Sequence, residues 1–331
     1  MKRTIILSAI LIGTMLVSTA CGTSSKNTSV EQTSEDSKLQ SIKIGVSNCS
    51  DTDTFTKEVA NYLEKLISEN HPEWNVDFVS AEMDSSIQLS QIETFIARNC
   101  DYIVMSASDS QANMACVDAC NEAGIPLIDY VNNIDSESEK FVYVGGSNES
   151  CGKTMAEYVG DRLEDGSNVL VMEGAPGASN SEQRVRGFTD TLHSEYPSLN
   201  ILESKTANWN QEDALTLMED WLQAYSDINA VVCMNDNMAM GAAEAIKAAG
   251  RADENIMIIG ADGLEVTMGY IRDGSIAMSM FYNFQKQAQN VYSVLEDMIS
   301  SGESTHDDVF SDFEVIDSSN VDEYSEKYYS K

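Results

Sequence analysis

Nine residues able to hold a hydroxylated solute stand where apolar runs end. Asp53 and Phe55 follow the run Ile42–Ser47, Ser106 closes Tyr102–Ser106, and Asn132 follows Leu127–Val131. In the second half Asn180 and Arg184 follow Val169–Glu173, Trp209 follows Ile201–Ser204, Asn235 follows Ala230–Met234, and Asp262 follows Ile256–Ala261. Carboxylates, amides and a guanidinium make directional hydrogen bonds to groups that donate and accept at once, as hydroxyls do. Aromatic rings cover flat C–H faces and fix orientation. Asn180 and Arg184, four apart at the start of a predicted helix, share one face and can grip neighbouring hydroxyls. The set reads as a recognition site for a polyhydroxylated ring.

Taken alone, each residue has a plainer role. Phe55 and Trp209 suit a core, Asp53 and Asn235 suit helix N-caps, and Arg184 suits a surface ion pair. Their convergence at successive strand ends favours the site. Catalysis is not expected. Asp53 and Asp262 would pair as glycosidase carboxylates, but the neutral and cationic groups around them suit hydroxyl recognition better than proton transfer. Gly145-Gly146-Ser147-Asn148-Glu149 lacks the last glycine of a GxSxG elbow, and no HExxH is present. Three scattered histidines, His71, His193 and His306, offer no zinc spacing. Neither a metal nor a cofactor is expected.

These residues need an α/β scaffold. Short β-branched runs, the seven above except for their ends plus Val76–Ser80, alternate with helical stretches such as Phe55–Ser68, Glu182–Leu192 and Met238–Ala249. Such alternation predicts parallel sheets covered on both faces, whose ligands sit beyond the carboxyl ends of the strands. Four β/α units, an interruption near Asn133–Ser150 and four more units give two doubly wound lobes, a division that 331 residues accommodate. Six cysteines besides Cys21 invite disulfides. Cys116 and Cys120, however, are four apart on a predicted helix, and Cys100 and Cys233 adjoin apolar runs, so buried thiols are expected. Cys49 and Cys151 are placed in loops, open to solvent.

Lys+Arg 20 against Asp+Glu 54 gives a net charge of −34, which excludes nucleic acid and anionic lipid as partners. The N-terminus carries Lys2, Arg3, an apolar run Ile5–Val17 and then Ser18-Thr19-Ala20-Cys21, the layout of an export signal with a lipidation cysteine. Gly22–Gln40, with 8 Ser or Thr in 19 residues, reads as a tether. Membrane contact is expected only through the lipid on Cys21, at the extracytoplasmic face.

The body from Ile42 onward resembles the type I periplasmic sugar-binding proteins of ABC transporters, nearest to the galactose/glucose-binding branch. The likeness lies in Ile44–Phe55 (IGVSNCSDTDTF), Val144–Gly152 (VGGSNESCG), Gly174–Arg184 (GAPGASNSEQR), Thr206–Trp209 (TANW), Asn235–Gly250 and Gly260–Asp262 (GAD). It implies two lobes joined by three hinge strands: 42–146 plus 283–312, and 147–282 plus 313–331, after a signal peptide 1–20 and a tether 21–41. It also implies a monomer that closes on one monosaccharide and delivers it to an ABC permease, with a chemoreceptor as a second candidate partner. Ligand contacts implied by the motif are Asp53, Phe55, Arg184, Trp209, Asn235 and Asp262. Four positions depart from the pattern: Ser106 and Tyr282 replace asparagines, and Ala178 and Asn180 replace a histidine and an aspartate. The pattern's calcium loop is absent, since Glu164–Ser167 is too short. A non-sugar polyol or furanosyl compound is the alternative ligand; a repressor core lacks its basic N-terminal helix-turn-helix here.

Overall fold

The computed structural model describes residues 41–330, so the signal segment, Cys21 and the tether to residue 40 lie outside the described residues. The first half runs β1 (Lys43–Asn48), α1 (Thr54–Asn70), β2 (Asn75–Ser80), α2 (Ser85–Ala97), β3 (Tyr102–Met105), α3 (Met114–Ala123), β4 (Leu127–Tyr130) and β5 (Phe141–Gly146). The second continues α4 (Asn148–Gly160), β6 (Asn168–Glu173), α5 (Ser179–Glu195), β7 (Asn200–Thr206), α6 (Gln211–Ala224), β8 (Ala230–Cys233), α7 (Asp236–Ala248), β9 (Met257–Asp262), α8 (Thr267–Asp273) and β10 (Met278–Phe281). After these come α9 (Phe284–Ser301), β11 (Val309–Ser311), β12 (Glu314–Asp317) and α10 (Val321–Tyr329).

Two six-stranded sheets result, ordered β11-β5-β4-β3-β1-β2 and β12-β10-β9-β8-β6-β7. Every pairing is parallel except β10 with β12. Central strands such as β8 (AVVC) are buried at every residue, as sheets covered by helices on both faces require. Each sheet has its own apolar core, so the molecule is two α/β lobes. In each sheet the order reverses at its first strand: β1 lies between β2 and β3, and β6 lies between β7 and β8. A crevice opens at the carboxyl end of such a strand. Asp53 and Phe55 follow one of these ends, and Asn180 and Arg184 follow the other.

The chain passes between the sheets three times. It leaves the first sheet after Gly146, returns between Phe281 of β10 and α9, which packs on α1 and β5, and leaves again between β11 and β12. The stretch Asn133–Ser150, expected as an interruption, contains β5, which pairs with β4 from Phe141↔Leu127 to Tyr130↔Val144. Its Gly145-Gly146 resembles a turn signal. In the fold both glycines make room for rings, Tyr143 over Gly145 and Phe313 over Gly146. The six described cysteines are free and buried. Cys49 and Cys151 are therefore not exposed loop thiols: they are 6% and 1% accessible, and Cys151 sits in α4. No helix of the described residues is long and apolar enough to cross a membrane.

Candidate functional site

One cavity between the two sheets has Asp53, Phe55, Ser106 and Asn132 in its wall from the first lobe. Asn180, Arg184, Trp209, Asn235 and Asp262 face it from the second. Nine of the ten expected contacts thus meet in one place. The centre of a water molecule ranges over about 40 Å³ of it. Adding the water's radius of roughly 1.4 Å all round gives a space of at least about 180 Å³, enough for one six-membered ring with its hydroxyls.

Arg184 anchors the second lobe's side. It lies on the first turns of α5 and is 2% exposed, so a surface ion pair is not its role. Its Nε donates to Asn148 Oδ1 at 2.9 Å and its Nη1 to the Met234 carbonyl at 2.6 Å, while Asp262 Oδ1 stands 3.9 Å from Nη1. That gap is too long for a direct hydrogen bond. Nη2 has no hydrogen-bond partner among the described residues, so both charges keep capacity for a solute. The Ser106 hydroxyl is buried and likewise unpartnered, an orphan that a ligand hydroxyl would satisfy.

Cap and site roles coincide at two positions. Asp53 caps α1, accepting from Thr56 N at 2.8 Å through one carboxylate oxygen, while lining the cavity. Asn235 caps α7 through Oδ1 and donates from Nδ2 to the Trp209 carbonyl at 3.3 Å. Its amide therefore holds the wall rather than standing free. Asn132 is committed as well: Nδ2 donates to the Ala107 carbonyl at 2.7 Å, and Oδ1 accepts from the Ser179 hydroxyl at 3.0 Å. That second bond joins the lobes, as does Ser110 N donating to the Gly177 carbonyl at 2.9 Å.

Tyr282, expected among the contacts, does not line the cavity. Its ring stacks behind Phe55 at 4.8 Å between centroids, and its hydroxyl donates to Gln287 Oε1 at 2.5 Å. Sequence reasoning also passed over Cys49, Thr56, Met83, Ala107 and Val131 in the wall. For Met83 and Val131 a signal exists only in the backbone. Met83 (φ 59°), Val131 (φ 72°), Trp209 (φ 59°) and Asp262 (φ 118°) all have a positive φ that disfavours side chains, and all four line the cavity. Such strain persists where the surroundings hold it, and it gathers at binding sites. The Trp209 ring lies over Gly174, where any β-carbon would collide with it.

That placement makes Trp209 a reporter. Trp209→Ala should abolish the ligand-induced change in intrinsic fluorescence and weaken binding, with circular dichroism unchanged. Trp74 and the buried Trp221 remain as silent controls. Unchanged affinity would remove the ring from the site.

Burial raises the pKa of Asp262 well above the carboxylate range, although Arg184 pulls it down, and burial also raises that of Asp53. Asp236, behind them, is pushed to about 6 by burial; its carboxylate accepts from Ser279 Oγ at 2.6 Å and Leu264 N at 2.8 Å. Each group binds a proton more readily folded than unfolded. The ligand-free protein should therefore gain stability as pH falls from neutral through about 6. Affinity should move the other way, because protonated Asp53 and Asp262 accept hydroxyl hydrogen bonds poorly. Melting curves and titration calorimetry across this range check both signs, and Asp236→Asn should reduce the stability slope, with Asp53 and Asp262 keeping the rest.

Residues 44–304 match the family model of a periplasmic binding protein domain. The chain belongs to this family. It is a solute-binding protein, not an enzyme. The binding protein is 32% identical over 208 residues to the ribose import binding protein RbsB of Bacillus subtilis, covering 62% of this chain and 65% of that relative's length, slightly under two thirds. It is 29% identical over 250 residues to a putative rhizopine-binding protein of Rhizobium meliloti, covering 74% and 80%. An ABC transporter solute-binding protein from Bacillus halodurans, solved with bound myo-inositol, matches with a TM-score of 0.81 at 28% identity, covering 87% of this chain and 98% of the other. None of these three carries galactose or glucose in its name.

Proposed function

We propose that this binding protein captures one small polyhydroxylated ring, a cyclitol such as myo-inositol or a monosaccharide, and presents it to an ABC importer. The carrying observation is a cavity of single-ring size whose wall alternates carboxylate, guanidinium, hydroxyl and aromatic groups from both lobes. The ribose and myo-inositol in the names of its relatives belong to the same ligand class. Lobe one comprises residues 42–146 plus 283–312 and lobe two 147–282 plus 313–331. The chain is exported and held at the outer face by lipid on Cys21.

Ligand that binds only the native state raises its melting temperature. A panel of myo-inositol, D-ribose, D-glucose, D-galactose and maltose should give a shift with at least one single ring and none with the disaccharide. A shift with amino acids or peptides instead, and with no ring compound, would overturn the reading. Cys21→Ala should release the protein from the membrane fraction.

A further inference from the structure

Tyr282 and Phe313 lie where the three passages between the lobes meet. Gly146 opens the first passage, Tyr282 opens the second and Phe313 lies in the third. A β-carbon on Gly146 would stand 2.6 Å from the Phe313 ring and 3.3 Å from that of Tyr282. The two rings are 4.6 Å apart between centroids. Tyr282 follows a strand of the second sheet, and its backbone N–H donates to the Asp262 carbonyl at 3.1 Å. Its side chain is nonetheless buried in the first lobe's core. Phe313 packs against the cores of both lobes.

From this point the packing leads to solute contacts in each lobe. On one side Tyr282 stacks on Phe55, 4.8 Å apart and 15° from parallel. On the other the Arg184 guanidinium carbon stands 5.1 Å from the Phe313 ring centre. The first passage reaches the same arginine: Asn148 donates to the Gly146 carbonyl at 3.2 Å and accepts from Arg184 Nε at 2.9 Å. The Tyr282 ring is held from behind, since Gln287, which accepts its hydroxyl, donates to the Val144 carbonyl at 2.6 Å. A side chain stacked between fixed neighbours has few orientations left, so these rings determine where Phe55 and Arg184 point.

We propose that Tyr282 and Phe313 are positioning residues of the binding site: without touching the solute, they set its affinity through Phe55 and Arg184. This rests on reading Phe55 and Arg184 as solute contacts. It differs from a structural role, which would cost stability regardless of what Phe55 and Arg184 are.

The test is calorimetric titration of the full chain with myo-inositol, alongside scattering of the ligand-free protein. Tyr282→Leu and Phe313→Leu should each weaken binding by about three- to tenfold, the scale of a lost aromatic pair. Tyr282→Phe and Phe313→Tyr keep the rings and should restore most of it. Tyr282→Leu should cost little further in a Phe55→Leu background, because a residue that acts through another is not additive with it. Gly146→Ala reaches the Phe313 ring from its other side and should weaken binding similarly, which covers a leucine variant that fails to fold. In the ligand-free state Phe313→Leu should change the radius of gyration, since the ring bears on both cores. Full additivity with Phe55→Leu, or wild-type affinity in both leucine variants, would overturn the proposal. Should the wild type not bind myo-inositol, that ligand assignment falls, and the scattering result decides the positioning role: an unchanged radius would overturn it.

Discussion

Arg184→Ala should weaken solute binding by roughly thirtyfold to several-thousandfold, and Asp262→Ala by a similar factor. The pair is 2% and 5% exposed, so neither charge has water to replace a lost partner. Truncating one member of a buried charge set costs about 2–5 kcal/mol, most of it from leaving the other charge uncompensated, and each 1.4 kcal/mol is roughly tenfold. In Arg184→Ala the Asn148 amide oxygen and the Met234 carbonyl also lose their donors. The double variant should lose much less than the sum of the two, because the second truncation removes the charge that the first stranded. Titration calorimetry with the best ring from the melting panel reads all three. Near-wild-type affinity in both single variants would place the solute elsewhere.

Ligand should compact the wild-type protein but not the variant carrying both Asp53→Ala and Phe55→Ala. The lobes are joined across the cleft by few hydrogen bonds: Ser179 Oγ to Asn132, Ser179 N to Ser110 Oγ at 3.2 Å, Ser110 N to Gly177, and the longer Asn180 N to Asn132 Oδ1 at 3.4 Å and Asn237 Nδ2 to Thr54 Oγ1 at 3.5 Å. Contacts this sparse leave the balance to the solute, which shifts it only by binding the closed form better than the open one. On the proposed site, Asp53 and Phe55, which line the cavity from the first lobe, supply that lobe's part of the difference. Without them the solute still meets Arg184 and Asp262 in the second lobe, but it no longer gains from closure. Small-angle scattering with and without ligand should show a smaller radius of gyration in the wild type and no change in the double variant. Full compaction of the variant would take those residues off the closing face. The variant also removes the cap on α1. A helix N-cap is worth about 1 kcal/mol, so circular dichroism must accompany the scattering.

By itself the sequence determined the two-lobe α/β plan and nine of the residues that line the cavity between the lobes. Strand–helix alternation is a local pattern, and a strand's carboxyl end is a fixed offset from its apolar run; the end residues of β1, β6 and β9 could be read directly. Caps were legible for the same reason: Asp53 with Thr56, and Asn235 with Met238, are pairs three residues apart.

Only the tertiary structure decided which of these groups remain free for a solute. Asn132 shares its sequence setting with the other strand-end residues of the cavity wall, yet its oxygen is taken by Ser179, 47 residues away. Tyr282 sends its ring into the core of the opposite lobe, a choice made by Phe55 and Phe313 and by the β-carbon that Gly146 lacks. The strand β5 was hidden by two glycines whose purpose is to admit rings from elsewhere in the fold. The left-handed backbone at Met83, Val131 and Trp209 has no sequence signature, because these residue types resist it. Periodicity and capping act over three or four residues, whereas these outcomes depend on partners brought together from distant parts of the chain, where spacing carries no information.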